Sequence, residues 1–351
     1  MKQRRDTPRI YDVAKMARVS IATVSRVANG RGNVTGPTSE RVRATMRRLG
    51  YRPHALARGL AARRSETLGL VITDILDPYF AEIVRGAQEE AEAAGYVILL
   101  GDTSVHAHRE DLLVRRLMER RVDGVIVASS RTTRAYAQLV TSLDVPVLCI
   151  NGQRQFFPHS VQIDNRAGAK LALQHLIGLG HRRIAHVAGP SDVPTRHERL
   201  AGYRVALAEA GIAYEPQLVV SGSGDLESSR AAAGALLMLL DPPTAIFAYN
   251  DRSAIGCYQA IRERGLRIGA DVSVVGFDDI VMAGWVDPPL TTVAQPRAEM
   301  GRLAVTLLLG MLRGEAAPAQ VVVMPRLVER ASTAPPAVAM AASRRATASS
   351  R

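Results

Sequence analysis

The run from Ile10 to Gly30, IYDVAKMARVSIATVSRVANG, constrains this chain more than any other stretch of it. Its spacing predicts two short amphipathic helices around a tight turn. In the first, Ile10, Val13, Ala14 and Ala17 fall at i, i+3, i+4 and i+7 and form one stripe. The second opens at Ser20, whose hydroxyl suits an N-cap, with Val19 before it and Val24 four residues into the helix at the spacing of a hydrophobic staple. If Val24 and Val27 pack inward, Ile21, Ala22, Ser25 and Arg26 are left toward solvent, with Ser20, Thr23 and Asn29 beside them. A third helix follows, with Val42, Met46 and Leu49 at helical spacing, Gly50 as its stop, and Arg41, Arg43, Arg47 and Arg48 around the stripe.

Charge says what such a module is for. Residues 1 to 64 hold 16 Lys and Arg against Asp6, Asp12 and Glu40, a local charge of +13 in a chain whose total is +12. The whole excess therefore sits in one small segment interleaved with helix-period apolar residues, which is an electrostatic footprint for phosphates rather than a property of the whole surface. An outward face of small and apolar residues with one arginine fits the major groove: Arg26 can fork onto a guanine, and Ile21 or Ala22 can touch a thymine methyl. For any one of these residues ordinary exposure explains its position equally well; their joint placement favours the groove.

This string, the following YRPHALARGLA from Tyr51 to Ala61, and motifs through the rest of the chain together resemble the lactose and galactose repressor family of bacterial transcription regulators, over roughly residues 8 to 330. Two positions depart from the pattern: Arg18 stands in the turn where Gly or Asn is common, and Arg9 where a capping Thr is usual. Between Pro53 and Leu60, Pro53 suits a first helical position, yet a helix of about eight residues containing Gly59 is too short to persist alone in water. The resemblance implies that this hinge helix pairs with its twin across a dimer axis, that Ala57 and Leu60 meet the DNA, and that Leu60 wedges into the minor groove and kinks the duplex. The other reading is a plain linker with Leu60 resting on the core. Hinge order that forms together with DNA contact would make the segment a switch.

After Arg63 and Arg64 the pattern changes to short apolar runs alternating with amphipathic helices: TLGLVITD, a helix with Phe80, Ile83, Val84, Ala87 and Ala91 on one face, YVILLGD, another helix, then DGVIVASS. It restarts with RRIAHVAG, TAIFAYND and VSVVGFDD. This predicts two doubly wound parallel α/β units, since the segment exceeds what one such sheet usually carries, with a ligand cleft where the carboxyl ends of their strands face each other. By resemblance the fold is that of type I periplasmic binding proteins. The expected domains are an arm at 1–7, a helix-turn-helix domain at 8–52, a hinge and linker at 53–66, a two-lobed ligand-binding and dimerisation domain at 67–330, and a disordered tail at 331–351.

The resemblance places Tyr79, Phe80, Asn151, Thr195, Arg199, Leu226, Asn250 and Asp278 in that cleft. The set suits a sugar, because Arg, Asn and Asp each hold hydroxyls through paired hydrogen bonds while an aromatic ring covers an apolar sugar face. Asp and Asn after strands also cap helices, and for Asp251 and Asp279 capping or packing is the expected role. Val193 stands where a polar group is found in other members, and Leu226 is not aromatic, so the identity of the ligand stays open.

The remaining signals exclude more than they suggest. Cys149 and Cys257 are isolated thiols in apolar runs and read as buried small hydrophobes. His106 with His108, and His181 with His186, lack the company of four ligands and read as loop and strand-edge residues, so no metal is expected. No glycine-rich phosphate loop follows a strand, so no nucleotide cofactor is expected. Trp285 is assigned to the core or a dimer interface. The amino terminus lacks the apolar stretch of a secretory signal and no run approaches a membrane span, so a cytoplasmic location is expected. The tail has no leucine heptad, so a homodimer on palindromic operator DNA is the expected assembly, without a membrane partner. An enzyme of sugar metabolism carrying a DNA-binding domain is the alternative, but the cleft offers Asp278 and Arg199 without an evident paired carboxylate and third positioning group.

Overall fold

The computed structural model describes residues 8–28, 34–51, 64–129, 143–152 and 156–336, and the chain divides into two compact units, residues 1–67 with 121–123 and the remainder.

Among the described residues the first unit carries three helices, α1 (Ile10–Ala17), α2 (Ile21–Ala28) and α3 (Gly36–Leu49). The expected stripes meet inside it: Val13, Ala14, Ala17, Val24, Val27, Val42 and Met46 form one buried cluster, with Ile10, Val19 and Leu49 packed at its margin. Both departures from the family pattern are accommodated by the backbone. Arg9 caps α1 through its amide, which donates to the Asp12 carboxylate at 2.8 Å, so no hydroxyl is needed at that position. Arg18 adopts the left-handed conformation (φ 53°) and returns its amide to the carbonyls of Ala14 and Lys15, a geometry that costs a residue with a Cβ about 1 kcal/mol. Arg41 of α3 closes the same corner by donating from Nε to the Ala17 carbonyl at 3.1 Å, satisfying an acceptor that the end of α1 leaves open.

The second unit is built from two six-stranded sheets. Lobe 1 begins with β1 (Thr67–Ile72), α4 (Pro78–Ala93), β2 (Val97–Asp102), α5 (Ala107–Glu119), β3 (Gly124–Ala128), β4 (Val147–Ile150) and β5 (Ser160–Ile163). The chain then crosses to lobe 2 through α6 (Asn165–Gly178) and lays down β6 (Ile184–Ala188), α7 (Pro194–Glu209), β7 (Val219–Ser221), α8 (Leu226–Leu236), β8 (Ala245–Ala248), α9 (Asp251–Glu263), β9 (Ser273–Asp278) and β10 (Thr291–Ala294). It returns to lobe 1 with α10 (Arg297–Leu312) and β11 (Gln320–Val323), and ends in lobe 2 with β12 (Arg326–Val328). The strand orders are β11-β5-β4-β3-β1-β2 and β12-β10-β9-β8-β6-β7. Every register recorded is parallel except β10 against β12, which is antiparallel. The central strands read as unbroken apolar runs because helices cover both of their faces, and the N-caps Asp77, Asp164, Asp225 and Asn250 start α4, α6, α8 and α9 by accepting from backbone amides.

Three expectations need correction. His181 and His186 are not edge residues but fully buried. His186 stacks between Phe247 (4.8 Å) and Tyr203 (5.5 Å), a flat neutral ring serving as an aromatic filler; burial pushes its pKa down to about 4, so it carries no charge there. His181 bonds to Thr244, Ser273 and the Ala334 carbonyl. That last contact bears on the tail: residues 331–336 are ordered, with Ser332 wholly buried and donating to the Val274 carbonyl at 2.6 Å while accepting from the Thr291 amide at 2.8 Å. Composition alone concealed a segment held by hydrogen bonds to strand ends. Trp285 is 75% exposed, so its core reading fails. Of the hinge and linker at 53–66, only 64–66 lie among the described residues; Ala57, Leu60, the arm at 1–7 and the end of the tail from 337 lie outside them.

Lobe 1 depends on the close packing of α4 against α10. A Cβ built on Gly86 meets the backbone carbonyl of Ala298, and one built on Gly301 meets that of Ile83, so the two helices are in contact backbone to backbone. Gly86→Ala is expected to lower the free energy of unfolding by about 2 to 3 kcal/mol, read by urea denaturation with circular dichroism; a change below about 0.5 kcal/mol would show that the helices have room to spare.

Candidate functional site

Helix α2 is fixed at its first turn. The Ser20 hydroxyl accepts from the Thr23 amide at 3.1 Å and shares a bond of 2.9 Å with the Thr23 hydroxyl, so both side chains serve the cap. Val24 and Val27 face the core; Ile21 is 47% exposed, Ala22 and Arg26 are exposed, and Ser25 is half-buried. The outward face expected from spacing is present, presented by a helix with a defined start and a packed back. Asn29 lies outside the described residues.

In the second unit a cavity of about 280 Å³ opens at the carboxyl ends of the strands, between the lobes. Tyr79 and Phe80 reach it from the first turn of α4 and Asn151 from the end of β4, all in lobe 1; Thr195 and Arg199 come from α7, Asn250 from the end of β8, and Asp278 from the end of β9. Seven of the eight residues expected in a cleft thus line one cavity. Leu226 does not; it opens α8, and its neighbours Gly224 and Asp225 supply the wall instead.

Arg199 is the best-held charge in the site. Only 4% exposed, it donates from Nε to Asn165 Oδ1 at 2.9 Å and from a terminal nitrogen to the Tyr249 carbonyl, and its plane lies over the rings of Phe277 (3.6 Å) and Tyr249 (4.6 Å). Asp278 is its carboxylate partner at 3.8 Å, close enough for attraction and too far for a direct hydrogen bond. Asp278 accepts from Gln295 Nε2 at 2.6 Å, and its backbone takes a positive φ of 118°, followed by 59° at Asp279. This strained corner is clamped by Arg297, which donates to the carbonyls of both residues and pairs with Glu82 at 3.2 Å. Burial pushes the Asp278 carboxyl up to about 7; Arg199 opposes this and the negative charge of Asp77 adds to it.

On the lobe 1 side, Tyr79 accepts from Asn151 Nδ2 at 2.8 Å and donates to Gln295 Oε1 at 3.4 Å, while Asn151 Oδ1 accepts from the Ile163 amide at 3.0 Å. Burial raises the Tyr79 pKa, so the phenol stays protonated. Asn250 spends its carbonyl capping α9 through the Ser253 amide and its amide on the Gly224 carbonyl, so it shapes the wall as well as facing it. Asp251 and Asp279 have the expected packing roles: Asp251 accepts from the Ile280 amide and the Thr292 hydroxyl, and Asp279 pairs with Arg330 at 2.6 Å.

Sequence reasoning missed Tyr249, Gln295, Arg252, Asp74 and Asp225, all of which line the cavity. Tyr249 was the most accessible to it, since it directly follows the β8 run and precedes Asn250; here its hydroxyl meets Thr195 at 2.5 Å. Among the described residues no His, Cys, Asp or Glu cluster has the makings of a metal site, Cys149 and Cys257 are free and buried, and no helix is long and apolar enough to cross a membrane.

Because the Asp278 carboxyl holds its proton more tightly in the folded chain than in the unfolded one, the folded state binds more protons between about pH 4 and 7, and its stability drains away as pH rises through that range. Asp278→Asn removes this drain. The melting temperature of the variant minus that of the parent is expected to grow from pH 4.5 to about 7 and level off above it; a flat difference, measured by scanning calorimetry, would show that Asp278 ionises freely.

Comparison with known proteins agrees with both units. A model of bacterial regulatory proteins of the lacI family matches residues 9–54, and a periplasmic binding protein-like domain matches residues 173–333. The HTH-type transcriptional repressor CytR of Escherichia coli K12 is 36% identical over 318 residues, 90% of this chain and 92% of that protein. Catabolite control protein A of Priestia megaterium is 37% identical over 324 residues, 91% and 97% of the two chains. The lac repressor dimer bound to operator and the anti-inducer ONPF superposes with a TM-score of 0.86 at 31% identity, over 94% of this chain and all of that one. The CelR–cellobiose complex superposes at 0.70 with 34% identity, over 93% and 99%. A basic helix-turn-helix unit and a two-lobed binding unit, matched over nine-tenths of the chain by DNA-binding regulators, make this protein a member of the LacI family of bacterial transcriptional regulators and not an enzyme.

Proposed function

We propose that this regulator is a homodimeric cytoplasmic repressor that reads a palindromic operator and whose operator affinity is set by a small polyhydroxylated molecule, a sugar or sugar derivative, held between its lobes. The observation that carries the reading is the convergence of Arg199 and Asp278, both nearly sealed from water, on a cavity otherwise walled by Tyr79, Phe80 and Tyr249. A fixed guanidinium, a carboxylate and amide groups hold vicinal hydroxyls, and flanking rings cover apolar ring faces. Two similar structures support the ligand class, one binding cellobiose and the other ONPF on a dimer with operator.

On the DNA side, Ile21, Ala22, Ser25 and Arg26 of α2 meet base edges, with Ser20, Thr23 and Asn29 at the phosphates or the groove rim. The hinge residues Ala57 and Leu60 enter the minor groove, and the exposed Trp285 belongs to the dimer contact. The effector acts by changing the distance between the two hinges, because each is too short to hold its helix alone.

The test uses full-length protein and a duplex selected by it from a random library. Affinity by fluorescence anisotropy should fall by about a thousandfold from 50 to 200 mM salt, as for six or more phosphate contacts, and a salt-independent affinity would remove the electrostatic argument. A thermal-shift screen over sugars should then find one that raises the melting temperature and changes operator affinity. Arg199→Ala should abolish both responses in protein whose fold is verified by circular dichroism; a folded variant that still responds would place the effector elsewhere.

A further inference from the structure

The cavity mouth carries a second arginine whose circumstances differ from those of Arg199. Arg252 stands in the first turn of α9, in lobe 2, and its terminal nitrogen reaches two carboxylates of lobe 1: Asp77 at 3.2 Å and Asp74 at 3.5 Å, both on the loop between β1 and α4. These three residues line the cavity, and Arg252 keeps 31% of its side chain exposed. Asp225, at the start of α8 in the same lobe as Arg252, lines the same cavity, and its carboxylate is occupied by the Ser228 amide and hydroxyl.

We propose that Arg252 is a positioning residue that ties the two lobes together across the cleft through Asp74 and Asp77, and so sets how readily the lobes close around an effector. The carboxylates are placed independently of the tie: Asp77 caps α4 by accepting from the Tyr79 amide at 3.0 Å, and Asp74 accepts from the Leu76 amide at 2.9 Å. The loop therefore presents two fixed negative charges to lobe 2. Separating the lobes moves the guanidinium away from both and into water. A half-exposed pair of this kind is modest in strength and screened by salt, as suits a contact that must break and re-form. Arg199 does not serve in this way, because its hydrogen-bond and ion-pair partners among the described residues lie in lobe 2 or on the first crossover.

The proposal rests on the reading of the cavity as an effector cleft that opens and closes, but its test needs neither effector nor DNA, so it fails or stands apart from the sugar assignment. Spin labels at Arg116→Cys on α5 and Ala208→Cys on α7, both exposed, report the distance between lobes in the full-length protein by pulsed electron resonance, with the native thiols buried. Arg252→Gln should enlarge the open fraction relative to the closed by about three- to tenfold. The double variant Asp74→Asn, Asp77→Asn, which keeps the amide-accepting oxygens, should do the same. The triple variant should add nothing further, because each change removes the same interaction. Arg252→Lys should restore part of the closed population, and raising salt from 50 to 500 mM should open the parent but not Arg252→Gln. A distance distribution that Arg252→Gln leaves unchanged, or effects of the arginine and aspartate changes that add in full, would overturn the tie.

Discussion

A guanidinium withdrawn from water has to be given back what water supplied, and the way Arg199 is satisfied organises the binding unit around it. Its donors go to an asparagine side chain on α6 and to the carbonyl that ends β8, its faces are covered by the rings of Tyr249 and Phe277, and its charge is answered by Asp278 at 3.8 Å. These partners come from α6, from β9 and from the end of β8, so the ends of those elements are held in register with α7 by one residue. Removing one member of a buried ion pair typically costs about 3 to 5 kcal/mol because the other is left uncompensated. The lobe 2 side of the cavity is accordingly stiff before any ligand arrives, and preorganisation of that kind is what lets a ligand spend its binding energy on closing the cleft.

Motion therefore has to be found between the lobes. The chain passes from one to the other at three places, between β5 and β6, between β10 and β11, and between β11 and β12. Three separate strands of backbone permit a hinge but resist a large twist. At the second crossing Gln295 sits between the lobes with its amide divided, donating to Asp278 and accepting from Tyr79, which in turn is held by Asn151. A ligand that claims Asp278 changes the first bond in a buried series that ends at the Ile163 amide on lobe 1. Its consequence for hinge spacing is what the proposed control of operator affinity exploits.

Periodicity carried most of the fold to the reader of the sequence, and it failed where chemistry substitutes for pattern. The stripes at Val13 and Val24 and the strand runs at TLGLVI, IAHVA and SVVGFD are buried where the spacing put them. His186 escaped because an imidazole counts as polar in any hydropathy pattern, yet stacked between two rings it behaves as an aromatic. Residues 331–336 escaped because low-complexity composition says nothing of a serine with two strand-end partners. Of the cavity, the charged and aromatic residues at strand ends were legible by resemblance. Arg252 was not, since its partner Asp77 lies 175 positions away in the chain, a separation no local pattern reports.

The two cavity arginines illustrate how burial divides roles among identical side chains. At 4% exposure Arg199 gains its hydrogen bonds in a medium of low polarity, where losing one is expensive, so it can hold a ligand but cannot let go of its own scaffold. Arg252, at 31% exposure, trades its lobe 1 carboxylates against water at little cost in either direction. A regulator needs both kinds of charge in one cleft: a fixed one to recognise the effector, and a loosely held one so that the difference between open and closed stays small enough for a single small molecule to reverse. Were the proposed tie as deeply buried as Arg199 and Asp278, a ligand of ordinary affinity would shift the equilibrium far less.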